Sequence, residues 1–113
     1  MDFFEEVYQK ASWVIAPELY ISEITNVLWK YYKSDILTHE ECLQYCDDGI
    51  ELVDDFFPEK DMWKEVLGES IKNKHSAYDI FYAVLARRNN STLVTLDKEL
   101  LKIAKNMVIE SFG

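Results

Sequence analysis

Short apolar runs separated by amphipathic helical stretches predict an α/β fold, a small parallel sheet of short strands flanked by helices. Trp13–Ala16 and Thr92–Leu96 are brief, continuous runs of apolar or β-branched residues, the pattern of strands covered on both faces. The helical stretches between them are long enough to serve as the crossovers that parallel strands need. With 113 residues, the chain is long enough to bury a core without disulfides, and it reads as one domain over residues 1–113.

Along the chain, Phe3, Phe4, Val7, Tyr8 and Ala11 recur at helical spacing, so residues 2–11 are predicted to be an amphipathic helix. Trp13 to Ala16 is the first predicted strand, closed by Pro17, which suits the first turn of a following helix. That helix has Leu19, Ile21, Ile24, Val27, Leu28 and Tyr31 on its apolar arc and ends near Lys33. Thr38-His39-Glu40-Glu41 has the form of a capping box and opens a helix through about Gly49 or beyond. Residues 50–57 read either as continuing helix or as a short strand around Val53.

Pro58 starts the next helix, with Met62, Trp63, Val66, Leu67 and Ile71 as its stripe, and Lys72-Asn73-Lys74 reads as a loop. Ser76-Ala77-Tyr78-Asp79 has the form of another capping box. It precedes Ile80, Phe81, Ala83, Val84, Leu85 and Ala86, a helix apolar on nearly all sides and therefore central. Asn89-Asn90-Ser91 breaks it. Thr92–Leu96 is a strand, Asp97 caps a last helix carrying Leu100, Leu101, Ile103 and Ala104, and Val108-Ile109 is a final short strand. Most of the large aromatic residues Trp13, Trp29, Tyr31, Tyr32 and Trp63 are expected in the core.

The net charge of −9 is uneven: residues 1–56 carry 3 basic and 13 acidic side chains, and residues 57–113 carry 9 and 8. A bulk nucleic-acid coat should be basic, so that class is disfavoured. An enzyme holding cations between carboxylates is compatible with this balance. An acidic surface also suits a basic partner segment. No run approaches a membrane span, and the acidic start Met1-Asp2-Phe3-Phe4-Glu5-Glu6 is unlike a signal peptide, so a cytoplasmic protein is expected. Cys42 and Cys46 share a face with His39 if that segment is helical. A zinc site would need a further ligand such as His75, and buried free thiols are the expected state.

Three acids stand out. Glu23 lies among Ile21, Ile24 and Val27; Asp79 begins the most apolar helix; Asp97 closes a predicted parallel strand at its carboxyl end, where open α/β sheets place ligand sites. Two carboxylates about 4 Å apart repel by about 4 kcal/mol at an effective dielectric near 20. Such a cluster is relieved by protonation or by Mg²⁺ or Mn²⁺. The plainer alternative leaves Asp79 and Asp97 as helix caps and Glu23 on a solvated flank.

The stretch Pro17-Glu18-Leu19-Tyr20-Ile21-Ser22-Glu23-Ile24-Thr25-Asn26-Val27-Leu28 resembles the acidic helix of PIN-domain proteins of the VapC toxin type. His75-Ser76-Ala77-Tyr78-Asp79-Ile80-Phe81-Tyr82-Ala83 is similar to their tyrosine-aspartate helix, and Leu93-Val94-Thr95-Leu96-Asp97-Lys98 to their strand ending in Thr-x-Asp. The three occur in family order. The resemblance implies a Mg²⁺- or Mn²⁺-dependent endoribonuclease, the toxin component of a toxin–antitoxin pair. Its partners would be an RNA substrate, a cognate antitoxin protein and further copies of itself, with no membrane. By position, Glu23, Asp79 and Asp97 match the family's catalytic and metal-binding acids, and Thr95 and Asn26 match polar residues lining the site. Lys98, Arg87 and Arg88 are candidates for phosphate contact, against the plainer reading of each as a solvated cation at a helix end.

The family begins with a strand carrying its first metal-binding Asp, and this chain opens in what matches the second helix. Three expectations follow: a start that lies upstream, a PIN-like domain shortened at its N-terminus with an incomplete metal site, or a gap filled by another subunit or partner through strand addition; Asp2 is no substitute for the first acid. The alternative is a catalytically incomplete PIN-like module that binds protein.

Overall fold

The computed structural model describes residues 13–94, 98–107 and 109–112. The predicted helix over residues 2–11 lies outside them. The chain divides into two compact units, Met1–Phe56 and Phe57–Gly113. That boundary falls where the strongly acidic part of the sequence gives way to the balanced part.

In the first unit, β1 (Ile15–Pro17) leads through Glu18 into α1 (Leu19–Lys33), followed by α2 (His39–Glu51) and β2 (Asp55–Phe57), which pairs with β1. The backbone amides of Asp54 and Asp55 both donate to the Val14 carbonyl, at 2.8 and 3.3 Å, and the Asp54 carboxylate accepts the Val14 amide at 2.7 Å. The capping box at Thr38 forms as the sequence predicts: Thr38 Oγ1 accepts the Glu41 amide and Glu41 Oε1 accepts the Thr38 amide. Helix α2 then continues to Glu51, so Val53 is not in a strand, and the strand begins two residues later.

Helices α1 and α2 approach closely at Gly49. A Cβ there would collide with the tip of Ile24, and the Tyr20 hydroxyl donates to the Gly49 carbonyl at 2.8 Å. The glycine's cost to helix stability, about 0.5–1 kcal/mol, is thus tied to helix contact.

The second unit contains a 3₁₀ turn (Glu59–Asp61), α3 (Trp63–Asn73), α4 (Ala77–Arg88), β3 (Leu93–Val94), α5 (Lys98–Asn106) and β4 (Ser111–Phe112). Strands β3 and β4 pair in parallel, Leu93 opposite Ser111, which gives the expected α/β class with its small parallel sheet. The core gathers on α4, where Ile80, Ala83 and Val84 have no exposed surface, with Met62 and Val66 beside it in the sequence of buried residues. Leu100, Ile103 and Ala104 of α5 are buried as the stripe predicts.

Several expectations are corrected. Of the final strand expected at Val108-Ile109, Val108 lies outside the described residues and Ile109 is not in a strand: its amide bonds the Ala104 carbonyl at the end of α5, and pairing is seen at Ser111 and Phe112. Lys72 and Asn73 belong to α3, and only Lys74 breaks it, in the left-handed region at φ 52°. Three helices end on a left-handed residue that is not glycine (Asp35, Lys74 and Asn90), each followed by an amide that bonds the carbonyl five residues back.

The aromatic residues Trp13, Trp29, Tyr31, Tyr32 and Trp63 are 43–63% exposed rather than core. Of the predicted arc of α1, only Leu19 and Leu28 are buried, and α2 buries none of its residues. A two-helix hairpin has one mutual face, so apolar residues elsewhere on it remain in contact with water. In α3 the stripe divides likewise: Met62 and Val66 are buried while Trp63, Leu67 and Ile71 are exposed. Among the described residues, no helix is long and apolar enough to cross a membrane.

Candidate functional site

Asp79 occupies the first turn of α4, where the helix dipole favours a negative charge. The chain arrives there through the left-handed Lys74. This turn lets the His75 amide donate to the Ser70 carbonyl at 3.2 Å and brings the imidazole back over the start of α4. His75 Nε2 lies 3.0 Å from Asp79 Oδ2, and its Nδ1 lies 3.9 Å from Glu99 Oε1 in the first turn of α5. The imidazole is nearly buried at 10% exposure, whereas the Asp79 side chain keeps 43%.

Ser76 takes the N-cap position without a side-chain cap bond, which corrects the predicted second capping box. A capping box would turn the Asp79 carboxylate back to the Ser76 amide; here its Oδ2 meets His75 instead.

Glu23 stands on α1 in the first unit, exposed, with Asn26 three residues further on and also exposed. Thr95 and Asp97 lie outside the described residues. Among the described residues, no group of three or more His, Cys, Asp or Glu side chains could hold a metal ion. Asp79 supplies a half-exposed carboxylate held at one oxygen, the donor type that hard cations take.

Arg87 and Arg88 are not available for phosphate. Arg87 Nη2 and Arg88 Nε each donate to Glu65 at 2.6 Å, Arg87 Nη1 reaches Glu69 at 3.4 Å, and Arg88 Nη1 donates to the Asp61 carbonyl at 2.6 Å. These bonds tie the C-terminal end of α4 to α3. Burial pushes the Glu65 carboxyl up, but the hydrogen bonds and charges of the two arginines outweigh it and hold the group below its ordinary value. Burial likewise lowers Arg87, and Glu65 with Glu69 reverses this to a net rise. Lys98 opens α5 and is exposed.

Cys42 and Cys46 are free thiols, half-buried rather than buried. Cys42 donates to the Leu28 carbonyl at 3.4 Å, and Cys46 lies 3.8 Å from the Thr25 hydroxyl. They line an apolar groove between α1 and α2 together with Leu28, Trp29, Tyr32 and Leu43.

The sequence signal for the His75–Asp79 pair was its i,i+4 spacing. The arginine clamp joins residues about two dozen positions apart and has no local signature.

The PIN domain family model matches residues 2–106, nearly the whole chain. The chain is a PIN domain. PIN domains are generally dependent on divalent metal, and membership suggests a nuclease-type function. No curated protein matches the chain.

Proposed function

We propose that this PIN domain is a Mg²⁺- or Mn²⁺-dependent endoribonuclease of the VapC type, the toxin component of a toxin–antitoxin pair acting in the cytoplasm. In this reading Glu23, Asp79 and Asp97 hold the cation, Thr95 and Asn26 line the substrate site, and a cognate antitoxin and a second copy of the chain are its protein partners. The observation that carries the reading is Asp79: a carboxylate at the start of the central helix, bonded to a nearly buried imidazole, in the stretch that resembles the family's tyrosine-aspartate helix. All three proposed ligands are carboxylates, the donor type that suits Mg²⁺ and Mn²⁺ over softer metals.

A bound divalent ion supplies an activated water and neutralises developing charge on a phosphodiester. The chain's own residues do the rest. Asp79 is kept in one orientation by His75. Asn26 offers an exposed amide next to Glu23 for contact with RNA. The arginine clamp fixes the far end of α4, so the helix bearing Asp79 is anchored at both ends.

Purified full-length protein should cleave single-stranded RNA with Mn²⁺ and lose that cleavage with chelator and with Asp79→Asn or Glu23→Gln. Cleavage that survives all three treatments contradicts the reading.

The second reading, a protein-binding PIN module without turnover, is favoured by one observation. The α1–α2 hairpin leaves Trp29, Tyr32 and Leu43 at least half exposed along an apolar groove. Absence of cleavage with retained binding to a basic protein partner would select it.

A further inference from the structure

We propose that His75 is a positioning residue for Asp79: its imidazole holds one carboxylate oxygen so that Asp79 meets a divalent cation in a single orientation. This rests on the reading of Asp79 as a metal ligand.

A carboxylate can only accept, so the nitrogen 3.0 Å from Asp79 Oδ2 carries the proton and donates. The bond therefore requires a proton on Nε2. Three elements of the second unit surround the residue. Its backbone amide is bonded to Ser70 at the end of α3, its Nε2 to Asp79 on α4, and its Nδ1 faces Glu99 on α5 at 3.9 Å. That last distance is too long for a hydrogen bond. Lys74 holds the left-handed conformation that turns His75 toward α4. Glu99 stands two positions after Asp97 in the sequence, so His75 links the helix carrying one proposed ligand to the helix that follows another.

An aspartate on a helix surface samples several rotamers, and a cation must select one. A hydrogen-bond donor that is nearly buried and anchored by its own backbone removes that choice beforehand. Outer-shell partners of this kind, when removed, typically weaken metal binding about 10- to 100-fold. The same bond could instead serve only to staple the start of α4, and the two roles part experimentally. A staple changes the melting temperature of the metal-free protein. A positioning bond changes metal affinity beyond anything the metal-free melt shows.

The test is calorimetric titration of the full chain with Mn²⁺ alone, with metal-free thermal melts in parallel, on wild type, His75→Gln, His75→Asn and Asp79→Asn. The glutamine amide nitrogen is as many bonds from the backbone as imidazole Nε2, while the asparagine amide is one bond shorter and cannot reach. Expected are affinity within about 3-fold of wild type for H75Q, a loss of about 10-fold for H75N, and loss of binding for D79N. Wild-type affinity in H75N beside lost binding in D79N overturns the role of His75 and leaves Asp79 as a ligand. Undiminished binding in D79N overturns the metal reading, and the role of His75 with it. Equal losses in H75Q and H75N, matched by equal falls in the metal-free melt, reduce His75 to a staple. If H75N does not fold, His75→Ala takes its place: a loss of about 10-fold beyond the fall in its metal-free melt supports the role, and affinity within about 3-fold of wild type overturns it.

Discussion

Replacing Glu65 by glutamine should loosen the attachment of α4 to α3, and the structure sets the size of the effect. Glu65 accepts bonds of 2.6 Å from both Arg87 and Arg88, with side-chain exposures of 28, 30 and 41% for the three residues. Exposed ion pairs contribute about 0–1 kcal/mol, and hydrogen bonds to charged groups about 1.5–3 kcal/mol each where water is excluded. Partial exposure places this cluster between them. Glutamine keeps one acceptor, so Glu65→Gln is expected to cost about 1–2 kcal/mol near neutral pH.

The cost should also depend on pH in one direction. Arginine hydrogen bonds and charge, prevailing over burial, hold the Glu65 carboxyl below its ordinary 4.5. A depressed carboxylate stabilises fully above its unfolded value, and that stabilisation is lost as pH falls through the folded value. Arg87 is shifted upward and stays charged throughout this window. The gap between wild type and E65Q should therefore be constant from neutral pH down to about 5 and shrink below 4.5. Urea denaturation followed by tryptophan fluorescence, with Trp63 as reporter in the second unit, measures it. A neutral-pH difference under about 0.3 kcal/mol, or a gap that does not narrow in acid, would refute the clamp.

Two further substitutions test the fold. Ile80→Ala, at a side chain with no exposed surface next to Asp79, should cost about 2–5 kcal/mol in denaturant melts; a loss under 1 kcal/mol would contradict the placement of the core on α4. Lys74→Gly should stabilise by about 0.5–1 kcal/mol, because it relieves a left-handed lysine at some cost in chain entropy. Destabilisation there would contradict the left-handed cap.

What the sequence disclosed follows the range over which each interaction acts. The Thr38 capping box spans four residues and was readable from them. The central helix 77–88 was readable because its apolar residues leave no polar face, and every residue from Ala83 to Ala86 is buried. The stripes of α1 and α3 have correct helical periods but misled about burial. Periodicity reports which residues share a face, and it does not report whether another element covers that face. Ile109 is not in the last strand because the end of α5 claims its amide, a local helix-end bond that overrides β propensity. At the candidate site, Asp79 was readable from its motif. Its imidazole partner was present in the same motif, but the bond between them depends on the left-handed turn at Lys74, which residue types alone do not announce. Arg87 and Arg88 read as phosphate candidates or solvated helix-end cations, and neither reading found their acidic partner Glu65, which the chain order hides on α3.

The central claim is that three acids remote in sequence serve one cation. Water-proton relaxation during titration of the full chain with Mn²⁺ tests it most directly, run on wild type, Glu23→Gln, Asp79→Asn, Asp97→Asn and the control Glu51→Gln. One tight Mn²⁺ per chain, unchanged in the control and weakened at least about tenfold by each of the other three substitutions, is the predicted result. Binding that is indifferent to any one of the three removes that residue from the centre, and indifference to all of them contradicts the metal-dependent nuclease.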